Sequence, residues 1–177
     1  MRTLEVRRHT LRSLSSSHIS QGGVDLARRV GEGLGKFDRV VTSTLPRAFE
    51  TAIAMGYAVD EQIEQLGIMG DEVQAVVQWN AGYAAWARAA ANSPVVGIYT
   101  QSLAEVWRPI VRALPENGRA LIISHGGIVE AGTVGCLPPA TRTTYGSACS
   151  YCEGVRLTFD GEAVVNVEML RVEQSSI

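Results

Sequence analysis

The order of strand and helix signals predicts an α/β fold, a three-layer α/β/α sandwich with a mainly parallel central sheet and an antiparallel C-terminal edge hairpin. Three observations predict it. Short apolar strand runs alternate with segments of helical periodicity through most of the chain. Ala120-Leu121-Ile122-Ile123 is uninterruptedly apolar, as a strand buried on both faces must be. Asp160-Gly161 stands between two alternating runs, the signal of a two-residue hairpin.

The elements follow in order. Thr3 to Val6 forms the first strand, and the polar stretch Ser13 to Ser17 reads as a loop. Ser20 caps a helix carrying Val24, Ala27, Val30 and Leu34 at helical spacing, which Gly35 closes. Phe37 to Ser43 is the second strand. Pro46 then opens a second helix from its first turn, where a missing N–H costs nothing. Asp60 to Asp71 is a loop. Val73 to Ala91 reads as one helix, with Trp79, Tyr83 and Trp86 beside its apolar face, and Asn92-Ser93-Pro94 ends it. A further helix spans Ser102 to Leu114 despite Pro109. After the central strand, a short helix runs to about Val134. Val155 to Phe159 and Glu162 to Leu170 form the hairpin, and Arg171 to Ile177 a frayed tail. No repeat, linker or composition shift divides residues 1–177, which points to one domain.

Composition narrows the function. The chain has 177 residues, 46% hydrophobic and 19% charged, with net charge −2. That profile suits a globular core and lacks the basic field that nucleic acid or an anionic membrane surface attracts. No apolar run approaches the ~20 residues of a membrane helix, and the N-terminal residues lack a signal-peptide core, so a cytoplasmic protein is expected. Cys136, Cys149 and Cys152 read as buried reduced thiols; Cys149-x-x-Cys152 has no second pair with which to build a metal site. There are three histidines, and Lys36 is the one lysine among 16 basic residues.

Ligands of such sheets gather at the C-terminal ends of parallel strands. Those ends carry Arg8 and His9, then Arg47, then His125. Arg47 sits in a helical first turn, where a cation meets the positive end of the helix dipole. A bound anion reverses that sign. Gly126 and Gly127 give bare backbone at a second helix start. This set suits nucleophilic phosphoryl transfer. Neutral His9 attacks phosphorus, Arg8 and Arg47 hold its oxygens, protonated His125 adds a donor, and an acidic side chain protonates the leaving oxygen. No metal or cofactor is called for.

The same residues resemble the histidine phosphatase superfamily, the phosphoglycerate-mutase-like group. Leu4-Glu5-Val6-Arg7-Arg8-His9-Thr10 is similar to the family's strand followed by Arg-His-Gly. Ile19-Ser20-Gln21-Gly22-Gly23 is similar to its Leu-Thr-x-x-Gly helix start. Val41-Thr42-Ser43-Thr44-Leu45-Pro46-Arg47-Ala48-Phe49-Glu50-Thr51-Ala52 resembles its arginine-bearing segment, and Ile122-Ile123-Ser124-His125-Gly126-Gly127 its second-histidine motif. The resemblance implies that His9 is phosphorylated and that Arg8, Arg47 and His125 form the phosphate pocket. Ser15 and Gly126 are implied as substrate contacts. It places the general acid after the arginine-bearing helix, where Glu72 is favoured over Glu64 and Asp71. Thr10 replaces the family glycine, a poor exchange if that position needs a left-handed backbone. Glu130 reads as a helix-surface residue, His18 as a loop histidine, and Arg12 as either a substrate contact or a solvated side chain.

The resemblance implies a metal-independent phosphatase acting on a small phosphate ester or on phosphohistidine of a protein. A catalytically weak phosphate-binding module and a mutase are the alternatives. The modest length favours hydrolysis over mutase action. Specificity is expected from Asp60 to Gly70 and Ser93 to Gln101.

Overall fold

A computed structural model describes residues 1–142 and 145–173. The sheet contains β1 (Arg2–Arg8), β2 (Arg39–Thr42), β3 (Glu61–Gln62), β4 (Arg119–Ser124), β5 (Gly154–Asp160) and β6 (Ala163–Leu170). The helices are α1 (Gln21–Glu32), α2 (Pro46–Ala54), α3 (Asp71–Gln74), α4 (Tyr83–Asn92), α5 (Pro94–Arg112) and α6 (Ile128–Cys136). Spatial order is β3-β2-β4-β1-β5-β6. The first four strands are mutually parallel; β5 joins β1 antiparallel, and β6 closes that edge. This is the sandwich the sequence predicts.

The period-2 alternation of β4 divides its side chains between two layers. Ala120 and Ile122 pack with Leu4, Val6 and Trp107 toward α5. Leu121 and Ile123 pack with Ala27, Ala48 and Ala52 of α1 and α2. On β1 the second face is charged: Glu5 is fully buried, and its carboxylate receives Arg7, Arg119 and Arg156. Ser20 caps α1 by accepting from the Gly23 N–H at 3.1 Å. The helix ends at Glu32, with Gly33 as its cap, before the predicted Gly35. In the hairpin, Gly161 takes φ 58° between the paired Asp160 and Ala163.

Three expectations need correction. Val73 to Ala91 is not one helix: α3 stops at Gln74, and α4 starts after Gly82, whose φ of 80° breaks helical geometry. Ser93 to Gln101 is not a loop. Pro94 stops α4 but also initiates α5 from its first turn, which runs past Pro109 to Arg112. Arg171 is not frayed: it donates to Glu153 and to the Ala148 and Ser147 carbonyls. Residues 174–177 of the predicted tail lie outside the described residues. The Asp60–Asp71 loop holds β3 and a 3-10 turn, Glu64–Gly67, whose Leu66 carbonyl accepts the Ser124 hydroxyl at 2.7 Å.

Candidate functional site

β1, β2 and β4 end side by side, and the chain leaving each carries a polar group into one pocket. Arg8 ends β1 and His9 follows it. Ser43 follows β2, with Arg47 in the first turn of α2. His125 follows β4. The His9 and His125 rings lie 5.1 Å apart.

His9 is buried and fixed at both nitrogens. Nδ1 is 2.7 Å from the Thr10 carbonyl, which can only accept, so Nδ1 carries the hydrogen. Nε2 is left with its lone pair, and the Arg47 Nε–H donates to it at 3.2 Å. Burial pushes His9 down to about 4, with Arg47, Arg8 and Arg12 adding to the effect against the Thr10 hydrogen bond. At neutral pH this imidazole is uncharged, with its basic nitrogen facing a guanidinium.

His125 lies 2.7 Å from the Ser43 hydroxyl through Nε2, while its buried Nδ1 has no protein partner among the described residues. The Leu45 N–H donates to the same hydroxyl oxygen at 3.3 Å. Burial first, then His9, Arg47 and Arg8, lower His125 to about 3. These causes favour a neutral His125, where the chemistry of phosphoryl transfer leads one to expect a protonated ring. If the neutral ring accepts the Ser43 hydroxyl at Nε2, its hydrogen is on Nδ1.

Arg8 contributes a second orphan. Its Nη1 donates to the Cys149 carbonyl at 3.1 Å, but among the described residues its buried Nε–H meets no acceptor. Burial depresses both Arg8 and Arg47, and Arg47 also feels Arg12 and Arg8. Three arginines thus crowd one imidazole. Their mutual repulsion is relieved by an anion.

Thr10 fits where the sequence left doubt. It is not among the left-handed residues, and its hydroxyl donates to the Gly23 carbonyl at 2.9 Å. Its N–H donates to the Thr51 hydroxyl at 3.1 Å. The space comes from Gly23, where a Cβ would meet the Leu11 carbonyl at 2.2 Å.

Other expected site residues stand elsewhere. Ser15 is exposed and bonded to Ser13 within its own loop. Glu72 and Asp71 are exposed in the first turn of α3, and Glu64 is exposed in the 3-10 turn. Among the described residues no hydrogen bond or ion pair joins these three carboxylates to either histidine. His18 pairs with Glu50. Arg12 is exposed and reaches the pocket through its charge alone. Gly126 packs tightly: a Cβ there would lie 2.8 Å from the Trp79 ring and 3.4 Å from Arg8 Nε. Cys136, Cys149 and Cys152 are buried free thiols, raised by burial to about 12, 12 and 11. Among the described residues no group of three or more His, Cys, Asp or Glu could hold a metal ion, and no helix is long and apolar enough to cross a membrane.

Sequence reasoning missed four residues. Ser43 lies inside the arginine-bearing segment, where the residue pattern gives it no role. Trp79 was read as lying beside a helix's apolar face, yet it is 44% exposed at the pocket. Tyr151 stacks on Arg8 and lies 5.9 Å from His9, ring to ring. Glu130 is not on the surface but fully buried. One of its oxygens accepts the Gly127 N–H at 2.7 Å and the other the Cys149 N–H at 2.6 Å. Glycine followed three residues later by Glu is a capping-box spacing, the one signal that pointed there. Glu130 staples the His125 loop to the loop that touches Arg8. Glu130→Ala orphans two buried donors and should cost roughly 2–4 kcal/mol, measured by chemical denaturation.

The lowered histidines also set a pH dependence. Unfolded imidazoles titrate at 6.5, while folded His9 titrates at about 4 and His125 at about 3. Between these values the unfolded chain binds more protons. Stability should therefore fall as pH drops from 6.5 toward 4. Thermal unfolding across that range checks this, and His9→Ala or His125→Ala should each flatten the profile.

Comparison with known proteins gives a family model described as "Histidine phosphatase superfamily (branch 1)", matching residues 2–170. No curated protein sequence matches significantly. Among solved structures, a phosphoserine phosphatase from Entamoeba histolytica, in complex with 3-phosphoglyceric acid, superposes with TM-score 0.70 at 15% identity, covering 98% of each chain. A phosphoglycerate mutase from Bacillus anthracis gives 0.65 at 17% identity, over 95% of this chain and 92% of that one. A mycobacterial glucosyl-3-phosphoglycerate phosphatase gives 0.59 at 18%, over 89% and 93%. At these identities the likeness is one of fold. The mutase is of nearly the same length, so chain length does not separate hydrolysis from mutase action.

Proposed function

The chain belongs to the histidine phosphatase superfamily, and on that premise we propose that it hydrolyses a phosphate monoester, or phosphohistidine on a protein, through a phosphohistidine at His9. One observation carries the reading: His9 is held neutral, with Nδ1–H on a carbonyl and its Nε2 lone pair facing Arg47.

In the first step Nε2 attacks phosphorus in line, the P–N bond forms, and the bond to the leaving oxygen breaks. Arg8 and Arg47 hold the phosphoryl oxygens, using the Arg8 Nε–H that has no protein acceptor. His125 donates through Nδ1. The leaving oxygen takes a proton from Glu72 or from water. In the second step water attacks phosphorus and gives its proton to the carboxylate left by the first step or to solvent, the P–N bond breaks with its electron pair returning to His9 Nε2, and inorganic phosphate leaves. The pocket chemistry needs no cofactor. Ser15 and the Gly126 N–H are secondary substrate contacts in this proposal, and the protein acts in the cytoplasm.

The test is phosphate release from an aryl phosphate in the presence of a chelator. Steady turnover supports a phosphatase. Binding of phosphate without turnover supports a phosphate-binding module. Transfer that depends on a bisphosphorylated primer supports a mutase. Because free His9 titrates at about 4, kcat/KM should hold from neutral pH down to about 5 and fall below about 4. A pH–rate profile checks it.

A further inference from the structure

The irregular segment between α3 and α4 carries none of the motifs above, yet one of its side chains reaches two parts of the pocket at once. Trp79 faces the Arg8 guanidinium, whose carbon lies 4.9 Å from the Trp79 ring centre. Tyr151 takes the guanidinium at 4.3 Å. Trp79 also lies on the glycines after His125. A Cβ on Gly126 would meet its ring at 2.8 Å, and one on Gly127 would meet its Cα and Cβ at 3.0 Å.

Arg8 needs such support. Among the described residues its guanidinium has one protein hydrogen bond, from Nη1 to the Cys149 carbonyl, which leaves the plane free to turn about that contact. Among the described residues no acceptor meets its buried Nε–H. Aromatic faces attract a guanidinium and favour stacked geometry, so two rings fix a plane that a single hydrogen bond does not.

We propose that Trp79 is a positioning residue, which with Tyr151 clamps the Arg8 guanidinium so that its unpartnered Nε–H faces the bound phosphoryl group. The seating of Trp79 on Gly126 and Gly127 ties the clamp to the His125 loop. The two strand ends that supply the oxygen contacts are thereby held at one spacing. This proposal rests on the pocket being an anion site, but not on its turning over a substrate.

The experiment uses the full chain and two readouts, orthovanadate affinity by calorimetry and kcat/KM for an aryl phosphate. Trp79→Ala removes the ring, Trp79→Leu keeps apolar bulk without a π face, and Trp79→Phe keeps a π face. Trp79→Ala and Trp79→Leu should each weaken vanadate binding and kcat/KM by about fivefold to tenfold, and Trp79→Phe should recover most of the loss. In an Arg8→Ala background, Trp79→Ala should add almost nothing, because no guanidinium remains to orient. Equal affinity in wild type and Trp79→Ala overturns the proposal. So does rescue by Leu as good as by Phe, or a loss that simply adds to that of Arg8→Ala. Thermal unfolding of each variant identifies any loss of fold. If Trp79→Ala unfolds, Trp79→Leu against Trp79→Phe still decides. If wild type binds vanadate through the clamp yet hydrolyses nothing, the phosphatase reading fails and the positioning role stands.

Discussion

His9→Ala should abolish turnover, with kcat/KM falling roughly 10⁴-fold or more, as when the nucleophile of a covalent mechanism is removed. The size follows from geometry. His9 Nε2 is a lone pair kept free by the Thr10 hydrogen bond and kept unprotonated by burial. No neighbour replaces it. His125 Nε2 is engaged by Ser43, and the cysteines at the site are buried thiols raised to about 12 and 11. Arg8, Arg47 and His125 stay in place, so His9→Ala should still bind phosphate or vanadate. Steady-state kinetics beside calorimetry separate the two properties. A variant that loses binding and turnover together would mark His9 as a binding residue rather than the nucleophile.

Glu5→Ala should cost about 3–5 kcal/mol of stability, the scale for removing one partner of a buried ion pair. Glu5 is fully buried on β1. One carboxylate oxygen accepts from Arg119 at 2.8 Å and from Arg156 at 3.0 and 2.9 Å. The other accepts from Arg7 at 3.3 and 3.2 Å. Arg7 is 5% exposed, and burial already pulls its pKa down. Without Glu5 it becomes a buried cation whose one remaining partner among the described residues is the Cys152 carbonyl. Damage should also reach the pocket, because the Cys152 N–H donates to the Arg8 carbonyl at 3.1 Å. Denaturant titration measures the loss. A change below about 1 kcal/mol would show that the three arginines are solvated well enough to stand alone.

The legible parts of this protein are those written in local chemistry. The Ser20 cap, Pro46 at a helix start and Asp160-Gly161 each act within a few residues, and the structure has them where the pattern places them. Arg8, His9, Arg47 and His125 could be grouped because a parallel sheet collects its strand ends on one rim. What stayed hidden depends on partners distant in sequence. Glu130 is polar on an apolar helix, and only the meeting of the Gly127 and Cys149 amides shows that it is buried. Trp79 reads as a helix residue until Gly82 breaks the helix and leaves the ring at the pocket. Pro94 ends one helix and begins another, two roles with the same local signature. Protonation was hidden too. The chemistry of phosphate transfer favours a charged His125, but burial, a neighbouring imidazole and two arginines favour a neutral one.

The central claim is that phosphorus passes through His9. It is tested most directly by incubating the enzyme with an aryl phosphate and a chelator, quenching in alkali, and mapping the modified peptide by mass spectrometry. The expected result is an acid-labile, alkali-stable phosphoryl group on His9, absent from His9→Ala and increased when His125→Ala slows the second step. Turnover with no label on His9, or label on another residue that persists in His9→Ala, would contradict it.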